Sequence, residues 1–199
     1  AVNANAVVTI ESSTASDLAT LMADAQDAAK FTNTSFVDLT TNGVTITGGT
    51  TIDVTDLNNA ISRTNTVATG TVDLVFSADN TTTTINGGTA TEFATTLLTH
   101  KTNNRVSFTG VNLSIDGTTV TTAQANDLTA ATTGTVTTTV SDGDLDTLTG
   151  LNAKSNAALA VTVTDTAGTA AELNTVNAGT TSAVNANAVV TIESSTASD

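Results

Sequence analysis

Short apolar-polar alternations run along the chain, separated by stretches in which apolar residues return every three or four positions. VVTIE (Val7–Glu11), FVDLT (Phe36–Thr40), VTITG (Val44–Gly48) and TVDLVFS (Thr71–Ser77) alternate or run apolar. So do TTTTING (Thr81–Gly87), RVSFTG (Arg105–Gly110), TVTTTVS (Thr135–Ser141) and LAVTVTD (Leu159–Asp165). Bounded by Gly, Asn and Thr clusters, they predict strands. Between them, Asp17–Lys30 places Leu18, Leu21, Met22 and Ala25 at helical spacing, and Glu92–Lys101 places Phe93 with Leu97. DLNNAIS, DLDTLTGL and ELNTVNAG predict helices of about two turns. Helices this short do not persist alone in water and need a partner surface.

One phrase marks the helix starts: a hydroxyl or carboxylate, two residues, an acid, then Leu or Phe. It occurs as TASDL (Thr14–Leu18), DVTDL (Asp53–Leu57), TATEF (Thr89–Phe93), SDGDL (Ser141–Leu145) and TAAEL (Thr169–Leu173). NDL at Asn126–Leu128 is a variant, with TTAQ (Thr121–Gln124) before it as an alternative start. In a capping box the first side chain accepts from an orphan amide of the first turn, and the acid reaches back to the cap residue's own amide. Recurrence of the phrase, each time with an apolar residue at once behind it, makes a weak motif strong.

The order strand, capped helix, strand predicts parallel strands joined by crossovers. A second repetition lies above it. AVNANAVVTIESSTASD opens the sequence at Ala1–Asp17 and returns unchanged at Ala183–Asp199, so the period is 182 residues. Residues 1–182 read as one full period of about six irregular strand-helix rungs, and 183–199 as the start of the next. Self-similarity of this kind is the signature of stacked arrays. The expected fold is therefore an α/β solenoid of mainly parallel strand rungs with short capped helices, mostly β by content. No rung buries its apolar face alone, and an array opened mid-repeat presents an edge that its continuation would hide.

Composition narrows the class. Pro and Cys are absent, Thr is the most abundant residue, and only five Phe supply aromatic bulk. Val, Leu, Ile and Ala must build the core, and Thr and Val favour a pleated backbone. Without Cys there are no disulfides and no thiolate metal sites. Nineteen acidic against five basic side chains give a net charge of −14. Nucleic acid and anionic membrane surfaces are poor partners for such a chain, and no apolar run has the length of a membrane span. Low charge density with much Thr, Asn and Ala fits an extracellular or cell-surface protein.

TGTVTTTVSDGDLDTLTGL, AVTVTDTAGTAAELNTVNAGTTSAV and SFTGVNLSIDGTTVTTAQANDLTAATTGTV resemble the repeats of giant tandem-repeat cell-surface proteins of cyanobacteria. The resemblance covers residues 105–199 well and the rest loosely, and it lies in composition and in the T-A-x-[DE]-L phrase. It implies secretion, a long array and a structural role, and it brings no catalytic residues.

Candidate chemistry is sparse. Asp142, Asp144 and Asp146 in DGDLD stand at alternate positions, as at the start of an EF-hand loop, and make a candidate calcium site. Against this, Thr147 occupies the place of the loop's Gly and no Glu closes it, so an acid-rich helix start accounts for the same residues. His100 is the only His; with Lys101 and Arg105 it reads as helix C-terminal positive charge, or as a contact to an acidic neighbouring strand of a fibre. Thr-x-Thr on several strands reads as strand propensity, or as a rank of the kind that binds ice. Asn33-Thr34-Ser35 is a glycosylation sequon. No Ser/His/Asp grouping, P-loop or dinucleotide fingerprint is present. The expected function is structural: a filament or surface layer made by rung stacking and lateral self-association, without enzymatic activity or cofactor, divalent cations apart. The alternative is the stalk or body of an adhesin for glycan or ice.

Overall fold

The computed structural model describes residues 2–3, 12–25, 31–32, 44–46, 50–67, 74–76 and 83–194. The expected strands VVTIE and FVDLT and the sequon at Asn33 lie outside the described residues, as do parts of TVDLVFS and TTTTING and the end of the first helix.

The strands pair in parallel throughout. Strands β2 (Ser12–Ser13), β4 (Val44–Ile46), β6 (Leu74–Phe76) and β8 (Val106–Ser107) lie side by side in that order. A second sheet orders β5 (Thr51–Asp53), β7 (Thr84–Asn86), β9 (Asn112–Val120), β10 (Val136–Val140) and β11 (Ala157–Ala160). Two short pairs complete the set: β1 (Val2–Asn3) with β3 (Phe31–Thr32), and β12 (Ala167–Gly168) with β13 (Thr191–Ile192). Within each sheet the chain meets its strands in sequence order: β9 to β10 and β10 to β11 are joined by a single helix each, whereas β5 to β7 and β7 to β9 are joined through a helical segment and a strand of the other sheet.

Those crossovers are α1 (Ala15–Ala25), α2 (Val54–Val67), a π-helical turn at Glu92–Leu97 running into α3 (Leu98–Thr102), α4 (Thr122–Ala131), α5 (Leu145–Leu148) and α6 (Ala170–Ala178). Successive helices touch: α1 packs on α2, α2 on the π-turn, the π-turn on α4, and α5 on α6. The core runs between helices and strands. Leu18, Leu57, Phe93, Leu128 and Leu145, the apolar residues of the helix-start phrase, are all buried in it, and Leu173 packs against it partly covered. At about 1.5–3 kcal/mol for each fully buried Leu or Phe, this face holds in place helices too short to stand alone.

The parallel α/β arrangement matches the sequence. The expectation of mostly β content does not: among the described residues helices occupy more of the chain than strands. Thr and Val propensity decides what suits a pleated ladder, not how long it runs, and most ladders here pair over only two to five residues. In LAVTVTD the ladder gives way after Ala160 to a single parallel bridge from Thr162 to Asn185. The longest strand, β9, was not foreseen. The chain uses its Asp116-Gly117 pair as a bulge. The register steps from Thr137 opposite Ser114 to Thr139 opposite Thr119, with Gly117 at φ +73° and the Ser114 hydroxyl donating to Asp116 at 3.0 Å.

Candidate functional site

The chemistry-bearing side chains gather where strands end and helices begin. Each helix start carries its own cap. Asp17 N–H donates to Thr14 Oγ1 at 3.0 Å, and Thr55 and Asp56 amides donate to Asp53 Oδ1 at 2.8 and 3.2 Å. Full reciprocal boxes join Thr89 with Glu92, Thr121 with Gln124 and Thr169 with Glu172. TTAQ is thus the true start of α4, and NDL lies inside that helix. SDGDL departs from expectation. Its cap is Asp144, which accepts from Thr147 N–H at 2.8 Å, while Ser141 donates from its hydroxyl to Val120 O at 3.2 Å. Gly143 between them lies against Thr164 of the next rung.

A second carboxylate, twenty residues further along the chain, reaches some helix starts. Asp142 Oδ2 accepts from Thr122 N–H, the first amide of α4, at 2.6 Å. One rung on, Asp165 Oδ2 accepts from Leu145 N–H, the first amide of α5, at 2.6 Å. The own-rung cap serves the third amide and the neighbour's acid serves the first. Two of the four orphan donors are met, and both carboxylates sit at the positive end of the dipole. Side chains twenty residues away carry this pairing, so no local motif announces it; the shared signal is an Asp a few residues ahead of the next cap.

The candidate calcium residues are therefore divided in their roles. Asp142 holds the start of α4, Asp144 caps α5, and Asp146 lies in the first turn of α5. Among the described residues no group of three His, Cys, Asp or Glu is arranged to hold a metal ion. Asp144 and Asp146 do line an acidic cleft of about 240 Å³ with Asp165, Glu172 and Glu193. The hydroxyl and then the amide of Thr147 hold the Asp144 carboxyl below the usual range. Thr169 does the same for Glu172, through its amide first and its hydroxyl second. Glu92 is held low chiefly by the Thr55 hydroxyl.

The basic residues sit elsewhere. His100 is buried, with Nε2 3.3 Å from Ser62 Oγ; burial, and then the charge of Arg105, lowers its pKa. Arg105 is 8% exposed, and among the described residues its Nε and Nη2 have no hydrogen-bond partner. Lys101 lines a groove of about 540 Å³ between α3 and α4, opposite Asp127.

Buried polar residues tie segments about twenty to thirty residues apart in sequence. Thr180 Oγ1 lies 3.1 Å from Ala157 O and 2.8 Å from Leu159 O and accepts from Leu159 N–H at 3.0 Å. Thr132 donates to Val111 O at 2.7 Å. Asn156 donates to the carbonyls of Thr129, Thr132 and Gly134. The Thr rank is interrupted: exposed Thr137 and Thr139 of β10 face Ala158 and Ala160 on one side and Ser114 and Thr119 on the other.

Comparison with family models, with curated proteins and with solved structures returned no match. Among the described residues no helix is long and apolar enough to cross a membrane.

Proposed function

We propose that this chain is a unit of a structural extracellular tandem-repeat protein, an α/β solenoid that builds a filament or cell-surface layer by rung stacking and lateral association. One observation carries the reading. The second copy of the seventeen-residue segment does not hang free: it adds to the preceding rung as a further parallel strand, Thr191 beside Ala167 and Ile192 beside Gly168. The next period thus begins by the same kind of contact that joins rungs within a period. The chemistry of the helix starts supports a mechanical role, since the carboxylates best placed for other work are spent on backbone amides of their own or the neighbouring rung. An acidic surface keeps laterally adjacent arrays apart until salt screens it or divalent cations bridge it. The adhesin-stalk reading uses the same array, but the described rungs lack the unbroken Thr rank that ice binding needs.

Six rungs per period, at about 4.8 Å each, advance the array by about 29 Å. Concatemers of one, two and three periods, measured by small-angle scattering, should lengthen by that increment per period with constant cross-section. Concatemers that instead scatter as separate beads on a linker refute the array.

A further inference from the structure

We infer that Asp116 is a site of self-modification: on the exposed bulge of β9 its side chain closes on the amide of Gly117, and the main chain is rerouted through that side chain as isoaspartate. Ring closure needs an Asp or Asn followed by a residue with no Cβ to screen its amide. It also needs a carboxyl or amide carbon free to swing onto that nitrogen, and a backbone free to bend with it. Among the described residues Asp116-Gly117, Asp142-Gly143 and Asn86-Gly87 meet the first condition, and the fold leaves the reaction open at one of them.

Asp142-Gly143 is held at both residues. Asp142 Oδ2 accepts from Thr122 N–H at 2.6 Å. The Gly143 carbonyl accepts from Thr164 N–H at 2.8 Å, and the Thr164 side chain stands 2.6 Å from where a Gly143 Cβ would lie. Asn86-Gly87 is held too: Asn86 pairs with Asp53 in the ladder, and Gly87 lies against the Asp53 carboxylate. Asp116-Gly117 differs on each count. Both residues are exposed. The β9–β10 ladder is in register at Ser114 with Thr137 and again at Thr119 with Thr139, so residues 115–118 stand opposite Thr138 alone. On its other side β9 pairs with β7 only at Asn112 and Leu113. A Cβ built on Gly117 meets nothing within 4 Å, so the Asp116 side chain has room to turn. Gly117, at φ +73°, leaves that conformation at little cost. The Ser114 hydroxyl, donating to Asp116 Oδ2 at 3.0 Å, draws electron density from the carbon that the amide attacks; an exposed hydrogen bond of this kind is too weak to stop rotation.

The step balances without oxidant or cofactor. The Gly117 nitrogen attacks Cγ of the protonated Asp116 carboxyl, and a nitrogen–Cγ bond forms. The amide proton and the carboxyl hydroxyl leave as water, and a succinimide ring results. Water then adds to either ring carbonyl. Breaking the nitrogen–Cγ bond restores aspartate. Breaking the bond from nitrogen to the Asp116 main-chain carbonyl carbon leaves isoaspartate, with the former main-chain carbonyl as a free carboxylate. One water is lost and one regained, so the mass is unchanged. The main chain becomes one carbon longer between Ser114 and Thr119, and the bulge takes up that length while the pairs on either side stay in register.

The two Asp-Gly pairs of one chain supply the test. The full-length protein is aged for weeks, folded in buffer and unfolded in urea. It is then digested with a protease that cuts before aspartate but not before isoaspartate, and the peptides are sequenced by fragmentation mass spectrometry. In the folded chain isoaspartate at position 116 should exceed that at 142 by about tenfold or more, because Asp142 and Gly143 must first be released from their partners. In urea that release is already made, and the two sites should differ by less than about threefold. Asp116→Asn offers the same amide a better leaving group and should convert faster than the parent, with ammonia lost and water gained at that position. Equal accumulation at the two sites in the folded chain overturns the inference, as does none at Asp116. A preference that persists unchanged in urea overturns it as well, because flanking sequence and not the fold would then choose the site. An Asp116→Asn chain that stays intact removes the ring closure itself.

Discussion

Removing the Asp142 carboxylate tests whether the segment that follows β10 holds the start of α4. Its Oδ2 accepts from the first amide of α4 at 2.6 Å, at a residue, Thr122, that is 5% exposed. In Asp142→Ala the amide loses a charge-assisted partner and water replaces it poorly. Hydrogen bonds to charged groups contribute about 1.5–3 kcal/mol net, so a loss of about 2 kcal/mol is expected. At about 2–4 °C per kcal/mol for a chain of this size, the melting temperature should fall by about 4–8 °C. Asp142→Asn keeps an acceptor and loses only the charge near the dipole, for about 0.3–1 kcal/mol. Asp146→Ala, in an exposed first turn, should stay within about 0.5 kcal/mol of the parent. Thermal melts followed by circular dichroism, in calcium and in chelator, give the comparison. The reasoning fails if Asp142→Ala matches the parent. It fails equally if Asp142, Asp144 and Asp146 variants all lose stability in calcium and none in chelator, which is the pattern of a shared cation.

Thr180→Val keeps the shape but strips the buried hydroxyl from Ala157 and Leu159; about 1–3 kcal/mol should be lost, with hydrogen exchange accelerated at the Leu159 amide. Gly134→Ala would drive a methyl into the Val111 carbonyl and should cost about 1–3 kcal/mol in urea unfolding, whereas Gly117→Ala meets no neighbour and should cost about 1–2 kcal/mol from its left-handed backbone alone. Acidification should destabilise in two steps. The folded pKa of His100 is lowered from 6.5, so the unfolded chain takes the proton more readily and stability falls as pH drops below about 6.5; His100→Gln should remove that step. Asp144, Glu92 and Glu172 are also held below their ordinary values, so their contribution is present above the carboxylate range and lost as pH falls through it, whether or not His100 is present.

Helix starts were legible because capping is a local transaction. Thr89 with Glu92 and Thr169 with Glu172 stand three residues apart in sequence and meet as that spacing demands. The apolar residue behind each cap was legible as core for the same reason. Ser141–Asp144 misled because two Asp residues compete within one turn, and the nearer one, Asp144, won the cap once Asp142 was taken up by α4 of the preceding rung. That engagement depends on which rung lies beside which, and no window of sequence contains it. Strand β9 escaped notice because Asp116-Gly117 has the chemistry of a hairpin turn, and only its partner, β10, turns that chemistry into a bulge. The excess of helix over strand among the described residues was hidden likewise: Thr-rich alternation marks where a ladder can form, while the neighbour decides where it stops.

The seventeen residues shared by positions 1–17 and 183–199 also bear on inheritance. In the proposed array, recombination between coding stretches for the two copies would remove or duplicate one whole period in frame, and the neighbour relations on either side would be restored because the crossover joins like to like. The length of such an array would then change by integer steps. A substitution confined to one copy creates a mismatched seam, so these residues should evolve in concert and drift more slowly than the loops between them.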